Sequence, residues 1–113
     1  MTRTKPIATI DPEAKGVTLI NIYEVAPDNQ TKLVKLLSEG TDNVMGTLAG
    51  FISASIHQSL DGTRVANYAQ WASKEDFDRM LQNPAAQARM KQFAALAKNV
   101  SPVLYRVSSV HTG

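Results

Sequence analysis

The chain has 113 residues, of which 43% are hydrophobic and 19% are charged, and its formal net charge is +2, values typical of one globular domain and not of a disordered chain. The charges are scattered, no apolar run reaches the roughly 20 residues of a membrane span, and residues 1–16 lack the apolar core of a signal peptide, so we expect a cytoplasmic protein that binds neither nucleic acid nor membranes. There is no cysteine and the two histidines lie far apart, which excludes thiol chemistry, disulfides and the usual spacings of metal ligands.

The beginning of the chain divides into a short arm and a folded domain. Residues 1–16 combine two prolines, a glycine and mixed charge, and we interpret them as an N-terminal arm that lies on a partner subunit. The single domain then comprises residues 17–113. It opens with VTLINIYEV, residues 17–25, whose β-branched and aromatic side chains predict a strand that ends before Pro27.

A helix is predicted after this strand. Asp28 or Asn29 can cap its N-terminus, because either side chain can accept from the first free N–H groups. Apolar residues then recur with helical spacing from Leu33 to Leu48. Gly40 lies inside this pattern and is expected to cost about 1 kcal/mol of helix stability relative to alanine.

The middle of the chain predicts a β-hairpin. GFISASIHQSL, residues 50–60, alternates between apolar and polar side chains, and TRVANYAQW, residues 63–71, does the same. Asp61 and Gly62 separate them, and this dipeptide favours a tight turn because glycine accepts a positive φ. The two segments are therefore predicted to pair antiparallel.

The predicted elements of the last third are two helical segments and a strand, namely residues 73–81, 84–98 and 103–111. Ser73 followed by Asp76 resembles a capping box with aspartate in place of the usual glutamate. Asn83 and Pro84 break the helix and restart it. VLYRVSSVH then forms the last strand.

The predicted element order, β-α-β-β-α-β, is typical of the ferredoxin-like fold. This α+β fold is a four-stranded antiparallel sheet with helices on one face. The chain has no further element to cover the other face, and a soluble monomer rarely exposes a large apolar sheet face. We therefore expect a homodimer in which two sheets pack together.

Strand alternation predicts where a site would lie. Asn67 and Trp71 share one face of their strand, and Asn21 and Tyr23 share one face of the first strand. The first and third strands are neighbours in a ferredoxin-like sheet, so Asn21 and Asn67 are predicted to be close if they face the same side. Small residues on the hairpin strands leave room for a cavity between the sheet and the helices.

An asparagine and a tryptophan in an apolar cavity provide hydrogen-bond donors for a developing oxyanion, but no nucleophile and no strong base. The alternative reading is structural. A tryptophan at a strand end commonly packs in the core, and a strand asparagine is commonly a satisfied core or edge group. The tyrosines likewise suit a core or an interface, and His57 lies among serines on a partly exposed strand.

Three segments carry a resemblance to a known family: TLINIYEVAPDNQTKLVKLL, GFISASIHQSLDGTRVANYAQW and NPAAQARM. Together they resemble the antibiotic biosynthesis monooxygenase family, from about Val17 to Val110. The resemblance implies the dimeric α+β barrel fold. It also implies an activity similar to that of anthrone oxygenases in aromatic polyketide pathways. These oxidise a phenolic, polycyclic substrate to a quinone with O2, and they need no flavin, haem or metal.

The resemblance also implies site residues. The family's asparagine and tryptophan match Asn67 and Trp71, which we therefore expect to be catalytic, while Asn21 and Tyr23 are expected to bind substrate. A tyrosine of the anthrone-oxidising members matches Phe77, and a helical arginine falls near Arg89 across a gap; we place both positions at the substrate. Tyr23 or Tyr105 is a further candidate for the missing phenol. No metal or cofactor is expected.

Two other functions stay open. The first is a dimeric barrel that binds small molecules without catalysis, which Phe77 favours because the family's phenol is lost there. The second is haem degradation, another branch of the superfamily, in which Asn21 and Trp71 would have counterparts. That branch uses a histidine as iron ligand, and no histidine lies between Phe77 and Lys98. As a third, structural reading, NYAQW is a folding and dimerisation motif.

Overall fold

A computed structural model describes residues 5–113 of the chain. Its elements, in chain order, are β1 (Val17–Glu24), α1 (Pro27–Asn43), β2 (Phe51–Gln58), β3 (Arg64–Trp71), α2 (Lys74–Leu81), α3 (Pro84–Ala95) and β4 (Asn99–Tyr105), with a short 3-10 turn (Met45–Thr47) after α1.

The four strands form one antiparallel sheet in the order β2-β3-β1-β4. β1 is central, and its Asn21 lies opposite Asn67 of β3 and Pro102 of β4. All three helices lie on one face of the sheet and enclose a cavity with it. The predicted ferredoxin-like α+β fold is therefore confirmed.

The turn between β2 and β3 is held by one carboxylate. Asp61 accepts hydrogen bonds from the backbone N–H of Thr63 at 3.0 Å and from the hydroxyls of Thr63 and Ser59 at 2.6 and 2.8 Å. Gly62 has a φ of +81°, which favours glycine. These hydrogen bonds lower the pKa of Asp61 to about 2.

The predicted cap of α1 is wrong. α1 begins at Pro27, and the N-cap residue is Ala26, whose side chain makes no capping hydrogen bond. Proline suits the first helical position because its φ is already helical and the missing N–H would have no intrahelical partner. The helix also ends at Asn43, short of Leu48, and continues as the 3-10 turn.

The predicted cap of α2 is confirmed, and so is the predicted helix restart at Asn83 and Pro84. Ser73 accepts from the backbone N–H of Asp76 at 3.0 Å and donates its hydroxyl to the Asp76 carboxylate at 2.8 Å. Asn83 accepts from the backbone N–H of Ala86 at 3.1 Å, and Pro84 occupies the first turn of α3. The restart at Asn83 is therefore a second helix with its own cap.

The last strand lies earlier than predicted. β4 spans residues 99–105, not 103–111, and it contains Pro102. Proline is tolerated there because β4 is an edge strand, so a missing N–H interrupts no further pairing. α3 correspondingly ends at Ala95 instead of near Lys98.

Two buried clusters fill the space between the sheet and the helices. One surrounds Trp71 and Phe77, and the other surrounds Tyr23, Leu37 and Phe93. The opposite face of the sheet is less covered: Val103 and Tyr105 are 48% and 46% exposed.

The N-terminal segment touches this open face of its own chain. Gln70 on β3 donates a side-chain hydrogen bond to the backbone carbonyl of Thr9 at 3.0 Å. Thr18, the cross-strand partner of Gln70, is buried. Within residues 5–113, no helix combines the length and the apolarity needed to cross a membrane.

Candidate active site

A cavity of about 400 Å³ lies between the sheet and the three helices. Its walls are mostly aliphatic, aromatic and thioether side chains from every strand and helix. Among the described residues that line it, the only side chain with a titratable group is Tyr23. The cavity therefore suits an apolar ligand. A negative charge that develops on such a ligand could be stabilised here by dipoles and hydrogen bonds.

Two amide side chains are among the polar groups of this cavity. Asn21 and Asn67 occupy opposed positions on β1 and β3, and both line the cavity. Asn21 is 8% exposed. The side-chain Oδ1 atoms of both residues are buried and have no hydrogen-bond partner within residues 5–113. A buried polar atom without a partner costs free energy, about 1–3 kcal/mol.

Tyr23 lies two residues from Asn21 on the same face of β1. Its hydroxyl oxygen accepts a hydrogen bond from Asn21 Nδ2 at 3.1 Å. Burial raises the pKa of Tyr23 to about 12, because desolvation disfavours the phenolate. Tyr23 is therefore a neutral phenol near neutral pH and is a poor candidate for a general base.

Trp71 forms the aromatic end of the cavity. Its ring makes edge-to-face contacts with Phe51, at a centroid distance of 5.5 Å, and with Phe77, at 6.3 Å. Trp71 is 2% exposed and lies at the last position of β3, where β3 pairs with β1 and with β2. The indole is held between these two rings, so its orientation in the cavity wall is well defined.

Five of the six residues singled out from the sequence line this cavity, and they are Asn21, Tyr23, Asn67, Trp71 and Phe77. The sixth does not. Arg89 is half-buried on α3 beside Gly40 of α1, and its neighbour Met90 lines the cavity instead. A one-residue shift on a helix turns a side chain by about 100°, which is enough to take the guanidinium out of the wall.

The other titratable candidates also lie elsewhere. Tyr105 is on the open face of the sheet and is absent from the cavity lining. His57 and His111 are exposed and outside the lining too. In the described part of the chain, no group of three His, Cys, Asp or Glu side chains could hold a metal ion.

Comparison with known proteins identifies the family. Residues 16–92 match the model of the antibiotic biosynthesis monooxygenase family. The chain belongs to this family. It is 42% identical over 81 residues to tetracenomycin-F1 monooxygenase of Streptomyces glaucescens, an alignment that covers 72% of each chain. This protein is accordingly an oxidoreductase of the monooxygenase class, and the resemblance seen in its sequence is confirmed.

Solved structures of the family share the fold. The monooxygenase from the gene ActVA-Orf6 of Streptomyces coelicolor, in complex with nanaomycin D, is 28% identical with a TM-score of 0.81, covering 91% of this chain and 96% of that one. SnoaB of Streptomyces nogalater, a cofactor-independent oxygenase, has a TM-score of 0.76 over 86% of this chain and 97% of that one. At 19% identity, SnoaB supports the fold alone.

Sequence reasoning missed part of the cavity wall. Met45, Met80 and Met90 all line it, as do Phe51 and Phe93. Helical spacing identifies such residues as buried, but it does not separate a cavity wall from a filled core. Thioethers adapt to irregular shapes, so these three methionines suit the walls of a ligand cavity.

Proposed function

We propose that this monooxygenase oxidises a phenolic, polycyclic aromatic molecule to a quinone with O2, without a cofactor. The observation that carries the proposal is the apolar cavity of about 400 Å³ with Asn67 and Trp71 in one wall. The volume lies in the range of small-molecule sites. The similarity to tetracenomycin-F1 monooxygenase and to a monooxygenase in complex with nanaomycin D supports a molecule of this class.

In the proposed reaction the substrate supplies the electrons. Loss of a proton from the substrate leaves an electron-rich anion, which reduces O2 and forms a carbon–oxygen bond. One oxygen atom becomes the new quinone carbonyl. The other leaves as water, together with the two hydrogens lost from the oxidised carbon.

The protein's part is to bind and to stabilise charge. The amide Nδ2–H of Asn67 and the indole N–H of Trp71 donate to the developing oxyanion, and preorganised donors in an apolar site lower such a barrier by several kcal/mol. The apolar walls exclude water from the peroxy intermediate. Asn21 and Tyr23 contribute to substrate binding from the neighbouring strand, and Phe77 provides an aromatic wall beside Trp71.

The proposal includes a homodimer. Val103 and Tyr105 are among the half-exposed apolar side chains on the open face of the sheet, and a second copy would bury them. Packing of two such faces would make the dimeric α+β barrel that the family resemblance implies.

A second function is favoured by two positions. Phe77 stands where the anthrone-oxidising members carry a tyrosine, and Arg89 lies outside the cavity. Without these polar groups, the same cavity would bind aromatic molecules and leave O2 unconsumed. This second function would be supported if the wild type binds an aromatic molecule without consuming O2 and the Phe77→Tyr variant consumes O2 with the same molecule.

The deciding experiment is oxygen uptake by the purified protein with the anthrone dithranol and no added cofactor. We expect uptake above the spontaneous rate in the wild type and a return toward that rate in Asn67→Ala/Trp71→Phe. Tyr105→Phe is the control, because its side chain lies outside the cavity. Wild-type uptake at the spontaneous rate, with dithranol bound, would contradict catalysis on this substrate and favour the binding function.

A further inference from the structure

The side-chain amide of Asn21 is oriented by a hydrogen bond to Tyr23, its neighbour on the same face of β1. Its Nδ2 donates to Tyr23 Oη at 3.1 Å, and the two residues are 8% and 5% exposed. Because nitrogen is engaged along the strand, the oxygen of the same amide is directed elsewhere. That Oδ1 is buried and has no partner within residues 5–113.

A second unpartnered oxygen lies across the strand pair. Asn67 is directly opposite Asn21 in the register of β1 and β3, and its Oδ1 is also buried without a partner in the described chain. Directly opposed residues have Cβ atoms about 4.5–5.5 Å apart. Two buried acceptors without a partner are costly, so they indicate a missing donor. Both residues line the cavity, and the donor would come from there.

We propose that Tyr23 is a positioning residue, which holds Asn21 Nδ2 so that the Oδ1 atoms of Asn21 and Asn67 share the single proton of one ligand hydroxyl group in a bifurcated hydrogen bond. The proposal rests on the proposed function only for the class of ligand. It adds a requirement: the ligand must present a protonated hydroxyl to β1 and β3. A ligand with a methoxy group at that place leaves both oxygens unpaired and is rejected.

The surroundings of Tyr23 suit a positioning role. Its ring belongs to the buried cluster that includes Leu37, Val65 and Phe93, so the hydroxyl has one preferred place. Burial raises the pKa of Tyr23 to about 12, which keeps the phenol neutral. A neutral hydroxyl oxygen can accept a hydrogen bond from Asn21.

The test uses binding, which needs no turnover. Trp71 is the only tryptophan of the chain and lines the cavity, so quenching of its fluorescence reports occupancy. The probes are 2-hydroxyanthraquinone and 2-methoxyanthraquinone, compared at a pH below the pKa of the hydroxyl. We expect the wild type to bind the hydroxy compound about tenfold or more tightly than the methoxy compound, as expected when a buried acceptor gains a donor.

Three variants separate positioning from direct contact. Tyr23→Phe keeps the ring and frees Asn21 Nδ2, so the preference should fall to about threefold or less. Asn21→Leu removes the acceptor and should abolish most of the preference. In the Asn21→Leu background, Tyr23→Phe should have no further effect, because a residue that acts through Asn21 is fully coupled to it. Tyr105→Phe is the matched control and should keep the wild-type preference.

Specific outcomes would overturn the proposal. An effect of Tyr23→Phe that persists in the Asn21→Leu background would mean that Tyr23 contacts the ligand directly. Tighter wild-type binding of the methoxy compound would mean that the Oδ1 atoms of Asn21 and Asn67 do not accept from a ligand hydroxyl. Binding of neither probe would contradict the proposed function as well, whereas binding of both with no preference contradicts this inference alone.

Discussion

Trp71 belongs both to the buried core and to the wall of the cavity. Its packing and its proposed hydrogen-bond donation can be tested separately. Trp71→Phe removes the indole N–H but keeps an aromatic ring between Phe51 and Phe77. If the N–H donates to an oxyanion, turnover of an anthrone should fall about 10- to 100-fold, the value of a hydrogen bond to a charged group. The fold should persist, with unfolding free energy reduced by about 1–3 kcal/mol.

The control for this prediction is Phe77→Leu. It shrinks an aromatic side chain in the same cavity wall, where Phe77 is 7% exposed, and it removes no donor. Oxygen-uptake rates and thermal unfolding of both variants should be compared. If the two variants lose activity equally, Trp71 acts by packing and not by donation.

Asp61 gives a prediction about acid stability. Its pKa is lowered from 3.8 to about 2 by the hydrogen bonds of the turn. A carboxyl group with a lowered folded-state pKa contributes stability above its unfolded pKa and loses that contribution as the pH falls. The contribution of this turn should therefore be present above pH 3.8 and disappear as the pH approaches about 2.

Asp61→Asn tests this contribution, because asparagine accepts hydrogen bonds without titrating. As the pH falls from 3.8 to about 2, the thermal stability of the wild type should decrease more than that of the variant. Carboxyl chemical shifts of Asp61 measured by NMR should show the lowered pKa directly. An Asp61 pKa near the ordinary value for aspartate would contradict the hydrogen-bonded turn.

At the scale of elements, the packing of α1 on α3 depends on the absence of a side chain. Gly40 is buried in α1, and a Cβ placed there would lie 2.8 Å from Cζ of Phe93. Gly40→Ala should gain up to about 1 kcal/mol of helix propensity but lose more to overpacking, for which costs of about 1–3 kcal/mol are usual. We expect a net loss of stability in chemical denaturation.

Ser38→Ala on the same helix is the control for propensity. Ser38 is exposed, so this change alters helix propensity without changing the core, and stability should stay within about 0.5 kcal/mol. A more stable Gly40→Ala would show that Phe93 can move away at little cost. Sequence reasoning assigned Gly40 only its propensity cost; the contact with α3 required the fold.

The elements themselves show where local signals succeed. Ser73 is recognisable as a cap because a helix start needs a side-chain acceptor next to free N–H groups, and Pro84 marks the restart after Asn83 because proline suits the first turn of a helix. β4 was placed too late because Pro102 looks like a boundary in the sequence, yet an edge strand tolerates it. Edge position is a property of the assembled sheet, so local reasoning could not supply it.

At the scale of the whole molecule, the open face of the sheet predicts association. Ile20 lies on the central strand β1, opposite Tyr68 and Val103, and alternation places it on the face away from Leu19 and Asn21. Ile20→Glu should convert a dimer to monomers, because a buried unpaired carboxylate in each sheet would oppose association. Sedimentation velocity would measure the mass.

Leu60→Glu is the control for this change. Leu60 lies in the turn after β2 and is fully exposed, so a carboxylate there costs little and the dimer should persist. Circular dichroism should show that both variants keep their secondary structure. A wild type that sediments as a monomer at working concentration would contradict the dimer.

The element order, the turn at Asp61, the family and the shared face of Asn67 and Trp71 can all be inferred from the sequence. These follow from period, caps and alternation, which are local properties of the chain. The folded chain was needed to show that Arg89 lies outside the cavity, that Asn21 donates to Tyr23, and that both amides keep unpaired oxygens within residues 5–113. Such facts depend on helix rotation and on side chains brought together from separate strands, and no local pattern encodes them.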